Sequence, residues 1–200
     1  MRIIAGEFRS RTLQAPAGLA IRPTSDRLRE TLFNVLAPRI RGAVFLDLYA
    51  GSGAVGMEAL SRGAASVDFV ERSPAALAVL RANLARLGIT AGFRVHTGSV
   101  GAWLRRVGKS GSGVKPGARP AFDLVFLDPP YDAAGEYGSA LGLLGSAEGG
   151  LLAPGALVIA EHRRKERLEE RYGGLRRLRL LEQGHAALSL YAVSTMTTGE

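Results

Sequence analysis

Asp47-Leu48-Tyr49-Ala50-Gly51-Ser52-Gly53-Ala54-Val55-Gly56 decides the fold. The residues from Val44 to Tyr49 read as a buried strand. Gly51, Gly53 and Gly56 then spell G-x-G-x-x-G, and a helix over 54–62 follows, closed by Gly63. Strand, glycine-rich turn and helix in that order let a backbone approach a ligand closely.

Strands and helices keep alternating downstream. Strands are predicted over 65–70, 93–97, 122–127 and 156–160. Helices are predicted through Leu87 from a Ser73-Pro74 start, and over 100–107, 136–144 and 165–172. Two last strands, 176–181 and 186–193, turn at Gln183-Gly184. The reading is an α/β fold, a doubly wound, Rossmann-like sheet, mostly parallel with an antiparallel C-terminal strand. Upstream, Ile3, Ile4, Phe8 and Leu13 with a turn over 6–10 predict a small, basic β-hairpin. Thr24, Ser25 and Asp26 are N-cap candidates for a helix with Leu28, Leu32, Val35 and Leu36 on one face. Ala37-Pro38 is expected to end it. The expected organisation is a basic extension over 1–41, a catalytic domain over 42–195, and a disordered tail over 196–200.

Charge is unevenly spread over the 200 residues, with a net charge of +8. Residues 1–41 and 162–179 each carry a net +5, whereas 42–161 are neutral. That pattern predicts basic flanks for a polyanion around a neutral core. Arg9, Arg11, Arg22, Arg27 and Arg29 are the expected phosphate contacts. Cysteine is absent, which excludes disulfides and thiolate chemistry. His96, His162 and His185 stand far apart in sequence, so no metal site is expected. No apolar run reaches membrane-spanning length, and residues 1–7 turn polar too early for a secretory signal. A cytoplasmic chain that works as a monomer is expected.

Phe122-Asp123-Leu124-Val125-Phe126-Leu127-Asp128-Pro129-Pro130-Tyr131 is the second informative stretch. An apolar strand stops at an acid and two prolines, which have no N–H for a ladder. The first proline holds Asp128 extended. A carboxylate, free carbonyls and an aromatic face thus meet at a strand's C-terminal end, where α/β sheets bind ligands. That set suits an exocyclic amine on a planar base. Asp128 and the Pro129 carbonyl would each accept one N–H, and Tyr131 would stack on the ring. Asp128, Pro129, Pro130 and Tyr131 are therefore the catalytic candidates.

The glycine-rich turn alone fits a dinucleotide as well as S-adenosylmethionine. Glu71, at the tip of the second strand, would accept ribose hydroxyls in either case. Asp47, four residues before Gly51, suits a cation rather than a pyrophosphate, and the proline turn suits methyl transfer. The expected cofactor is S-adenosylmethionine, held by Asp47, Tyr49, Ala50, Gly51, Ser52, Gly53, Glu71, Arg72, Ser73, Ser99, Val100 and Asp128, with 98–100 bordering the adenine.

Three stretches carry a family resemblance. They are the run from Arg22-Pro23-Thr24 through Asn34, Asp47 through Gly56, and Asp128-Pro129-Pro130-Tyr131. In that order the chain resembles bacterial 16S ribosomal RNA guanine-N2 methyltransferases over nearly its whole length, including Arg2 through Gly6 and Gly184 through Tyr191. The resemblance implies that the first helix covers the cofactor and that the substrate is 16S rRNA in an assembled small-subunit particle. Asp-Pro-Pro-Tyr is shared with adenine-N6 and protein glutamine methyltransferases, which are one alternative. A non-catalytic RNA-binding assembly factor is the other. The loop over 109–120 is longer than is usual for the family and inherits no role.

Overall fold

The computed structural model describes residues 1–15, 26–109, 121–130, 135–146 and 150–193. The elements are α1 (Asp26–Ile40), β1 (Val44–Leu48), α2 (Ala54–Ser61), β2 (Ser66–Glu71), α3 (Pro74–Leu87), β3 (Phe93–Thr97) and α4 (Val100–Lys109), followed by β4 (Phe122–Leu127), α5 (Gly135–Leu144), β5 (Leu152–Arg163), β6 (Arg171–Tyr172), β7 (Leu175–Gln183) and β8 (Ala186–Val193). The strands form one eight-stranded sheet in the order β3-β2-β1-β4-β5-β8-β7-β6. Pairing is parallel from β3 through β5 and antiparallel from β5 through β6. The predicted fold class holds, antiparallel C-terminal segment included.

Alternation along the strands makes two cores. Phe45, Leu124, Phe126, Leu157, Ile159 and Leu190 pack with α1, α2 and α3 on one face. Leu46, Leu48, Val125, Leu127, Val158 and Tyr191 pack with α4 and α5 on the other. Each fully buried large side chain contributes about 1.5–3 kcal/mol. Gly56 in α2 lies so close to β2 that a Cβ there would sit 2.3 Å from Phe69 Cε1. Ser73 caps α3, its hydroxyl accepting from Ala76 N at 3.4 Å, and Gly88 ends the helix with φ 73°.

Chain order runs from β1 outward to β2 and β3, then returns to β1's other edge for β4 and β5. The C-terminal ends of β1 and β4 therefore border the topological switch point, the crevice where such sheets bind ligands.

Three expectations fail locally. Pro38 lies inside α1, which continues to Ile40. It sits in the last turn, where a lost hydrogen bond costs least, and Ile40 is buried. The helix expected over 165–172 is a turn leading into β6. There Arg177 N bonds Glu170 O at 2.9 Å and Leu168 is buried, so pairing along the sheet edge prevails. β5 is also longer than predicted, because β8 pairs with it as far as Arg163.

The N-terminal hairpin has a minimal ladder. One bridge joins Arg2 and Thr12, flanked by Ile3 N to Arg11 O and Leu13 N to Met1 O, both 3.0 Å. Ile3 and Leu13 enter the α1–α2–α3 core. Gly6 (φ 85°) packs so closely on α2 that a Cβ would lie 1.9 Å from Ser61 O. The cap candidates Thr24 and Ser25, the loop over 110–120 and the tail over 196–200 lie outside the described residues.

Candidate active site

Asp47 is buried one residue before the end of β1, and its Oδ2 accepts the Gly56 N–H at 2.9 Å. Burial pushes its carboxyl up to about 8, against the help of the Gly56 N–H and with a further push from Glu71. Tyr49 follows in a left-handed conformation (φ 61°) and donates its hydroxyl to Glu136 Oε2 at 2.7 Å. That bond ties the β1 turn to the first residues of α5. Burial and Glu136 hold the phenol protonated.

Glu71 lies under the glycine-rich turn. Its Oε2 accepts Gly51 N at 2.8 Å, and its Oε1 accepts Arg72 N at 2.8 Å and Ser73 N at 2.7 Å. A carboxylate has about four acceptor sites, so one remains for a hydroxyl. Ala50 N bonds Val70 O at 3.1 Å and Gly53 N bonds Ala50 O at 2.7 Å, which closes the turn. The Ser73 side chain is committed to capping α3 and Arg72 is exposed. The Ser99 hydroxyl accepts Ala102 N at 3.4 Å, and Val100 is buried. A cleft of about 340 Å³ is lined by Ser99, Gly101, Arg105, Gly135, Glu136 and Ser139, between α4 and the start of α5.

Asp128 follows Leu127, whose register partners are Leu48 of β1 and Ala160 of β5. Its carboxyl is pushed well above the usual carboxylate range, first by burial, then by Glu161 and Asp47. Asp128 after β4 thus lies within electrostatic reach of Asp47 from β1 and Glu161 from within β5. Pro129 is buried and Pro130 exposed. Tyr131 and Arg22 lie outside the described residues.

Arg29, expected to face RNA, is fully buried. Its Nη2 donates to the Arg2 carbonyl and to Asp26 Oδ1 at 3.0 Å, and its Nε faces Glu58 Oε2 at 3.9 Å. It braces the fold and contacts no phosphate. Arg11 Nη1 donates to Leu87 O at 3.0 Å, with the guanidinium 5.7 Å from the Phe8 ring centroid. Arg9 and Arg27 are exposed.

Two positioning residues escaped sequence reading. Glu58, fully buried in α2, accepts Ile4 N (2.7 Å), Ala5 N (3.0 Å) and Arg62 Nε (2.7 Å). Asn83, fully buried in α3, accepts Gln14 N at 2.8 Å and donates to Gln14 O at 3.1 Å and Ser52 O at 3.0 Å. It joins the N-terminal segment to the glycine-rich turn. The available signal was a polar residue within the apolar face of Leu80, Leu84 and Leu87.

Known proteins are similar to this chain over most of its length. Residues 1–192 match the model of a family described as Conserved hypothetical protein 95. Ribosomal RNA small subunit methyltransferase D of Escherichia coli K12 is 40% identical over 161 residues, 80% of this chain and 74% of that one. The chain belongs to this family of bacterial ribosomal RNA methyltransferases. Bacillus subtilis YlbH, provisionally named an rRNA methyltransferase, is 34% identical over 96% of this chain and 98% of its own. Among solved structures, E. coli yhhF, provisionally named a methyltransferase, superposes with a TM-score of 0.78 at 35% identity, covering 96% of each chain. A hypothetical protein of Thermus thermophilus superposes with a TM-score of 0.76 at 33% identity, over 95% of this chain and 98% of that one.

Glu71→Ala should weaken S-adenosylmethionine binding about tenfold or more, since charge-assisted bonds of about 1.5–3 kcal/mol are lost. Isothermal titration calorimetry reads this directly. Unchanged affinity would leave Glu71 as a structural acceptor for the Gly51, Arg72 and Ser73 N–H groups only.

Proposed function

We propose that the protein transfers a methyl group from S-adenosylmethionine to the exocyclic N2 of a guanine in 16S rRNA, within an assembled small-subunit particle. The observation carrying this reading is Asp128-Pro129 at the end of β4, beside the glycine-rich turn after β1. Family membership supports rRNA methylation, and the amine-accepting turn supports the N2 atom.

The site's acids fit the cofactor. Asp47 and Asp128 are driven toward their neutral forms by burial and by neighbouring acids. A cation seated between them restores their ionised forms. Glu71 has an acceptor site left for a ribose hydroxyl, and the glycine turn leaves room for close backbone approach. When bound, S-adenosylmethionine supplies an electrophilic methyl carbon, whose bond to sulfur breaks as the guanine nitrogen bonds to it. Asp128 and the Pro129 carbonyl hold the two N–H groups, so the nitrogen's out-of-plane electrons face the methyl. Positioning supplies most of the acceleration. The methylated amine then sheds a proton, and Asp128 is the acceptor at hand. The base leaves its stack to reach this depth, and Tyr131 is its stacking partner.

Residues 1–41 act as a basic extension of the catalytic domain, with Arg9 and Arg27 as its RNA contacts. The enzyme works as a cytoplasmic monomer. Among the described residues, no helix is long and apolar enough to cross a membrane.

The test uses small-subunit particles purified from a strain lacking the gene. Incubated with protein and S-adenosylmethionine, they should gain N2-methylguanosine, read by nucleoside mass spectrometry. N6-methyladenosine would overturn the choice of base. No methylation would leave an assembly factor.

A further inference from the structure

We infer that Arg171, Arg176 and Arg179 form a second RNA-docking row, on the outer strands of the sheet and apart from the N-terminal extension. The register puts them on one face. Arg171 is the cross-strand partner of Arg176, which pairs with Ala192, and Arg179 pairs with Leu190. Leu190 and Leu188 belong to the core on the α1 side, so the three arginines point to that face. Arg177, one residue on from Arg176, pairs with Tyr191 and points to the other face, where it meets Glu170. The bulge between Arg177 and Arg179 leaves Leu178 out of the register. It also restores Arg179 to Arg176's face.

All three side chains are exposed, and none has an acidic partner among the described residues. Like charges directly opposite on paired strands repel. Two arginines held in direct register without a carboxylate therefore stand ready for an anion from outside. A charged sheet edge can also simply deter edge-to-edge association. That purpose does not require three cations on one face, and β6 already covers the end of β7 at Arg176.

The row continues toward the proposed RNA contacts. The Thr31 hydroxyl of α1 lies 3.1 Å from both Arg27 O and the Gln183 side-chain amide at the far end of β7, and its single proton serves one of them at a time. Exposed Arg27 thus lies beside the end of the strand that carries Arg179. Asp47 is buried but points to the same side of the sheet, in register with Phe126, four strands away from β7 in the sheet order. At about 4.8 Å per strand that is about 19 Å, close to the width of an RNA helix. A nucleotide in the catalytic crevice would leave its flanking phosphates within reach of the row. The inference rests on the RNA-substrate reading above.

The experiment compares the wild-type protein, Arg171→Gln/Arg176→Gln/Arg179→Gln and the corresponding triple lysine variant. Binding to small-subunit particles is measured across a salt series, with S-adenosylmethionine affinity measured in parallel. The glutamine variant should lose about tenfold or more in particle affinity, and its salt slope should fall by about two to three units. The lysine variant should keep the slope. Cofactor affinity should match wild type in both, which also shows that they fold. A glutamine variant with wild-type slope and affinity overturns the inference and leaves the row as edge protection. Wild-type protein that methylates no rRNA defeats the underlying reading instead, so the two failures are distinct.

Discussion

Asp128→Ala should lower turnover about a hundredfold or more, the range expected when a reacting group is misplaced. Asp128→Asn keeps the size and one acceptor oxygen and should retain partial activity. Cofactor affinity should fall far less than turnover in both variants, because Asp47 and Glu71 also hold the cofactor. The competing role is mechanical, with Asp128 merely ending β4. That role predicts lost stability rather than lost rate. It meets a specific difficulty, since burial and the nearby Glu161 and Asp47 all disfavour a charge at this position. A residue kept only to end a strand gains nothing from that arrangement. Turnover and melting temperature on the same two variants separate the roles. A folded Asp128→Ala protein with near wild-type turnover would reduce the proline turn to a turn.

Glu58→Ala should be the most destabilising single change outside the hydrophobic cores. It strands the fully buried Arg29 guanidinium beside Asp26 alone and leaves the Ile4 and Ala5 N–H groups without their acceptor. Breaking one side of a buried ion pair costs about 3–5 kcal/mol. For a chain of this size that is about 6–20 °C in melting temperature. Burial works against the Arg29 charge, and Glu58 and Asp26 sustain it. Replacing both partners, as in Arg29→Met with Glu58→Leu, should therefore recover part of the loss. Calorimetric melting of the single and double variants checks this. A single variant that melts with wild type would show that Ile3 and Leu13 packing and the bonds to Ser61, Asn83 and Leu87 hold the N-terminal segment without Glu58.

The strands and helices of the sheet's parallel half were legible because period and punctuation agreed there. Val44 to Tyr49 with its glycine turn, Ser73-Pro74 with Gly88, and Phe122 to Leu127 before two prolines each carry start and stop signals. The region beyond Arg163 misled for a physical reason. Its charged residues look like a solvated helix, but edge pairing of Arg171 with Arg176 decides the conformation, and Gly173-Gly174 between the two strands is its one local sign. The site divided similarly. Asp47, Glu71 and Asp128 sit at strand ends that the sequence could place. Arg29 did not announce its burial, because a basic residue off the apolar stripe of α1 looks exposed until Glu58 is known to lie opposite. Asn83 and Glu58 act through backbone groups dozens of residues away, and such pairings leave no periodic trace.

The anchoring of the N-terminal segment has a consequence for the order of folding. Residues 4, 5, 8, 11 and 14 find their partners at Glu58, Ser61, Asn83 and Leu87, at sequence separations of 53 to 76 residues. Contacts that distant form late, after the intervening chain has closed on itself. During synthesis this segment leaves the ribosome before α2 and α3, and its docking site is incomplete until α3 has emerged. Residues made before α2 and α3 are thus fixed after them, and until then a basic strand travels free while the glycine turn lacks the Asn83–Gln14 link.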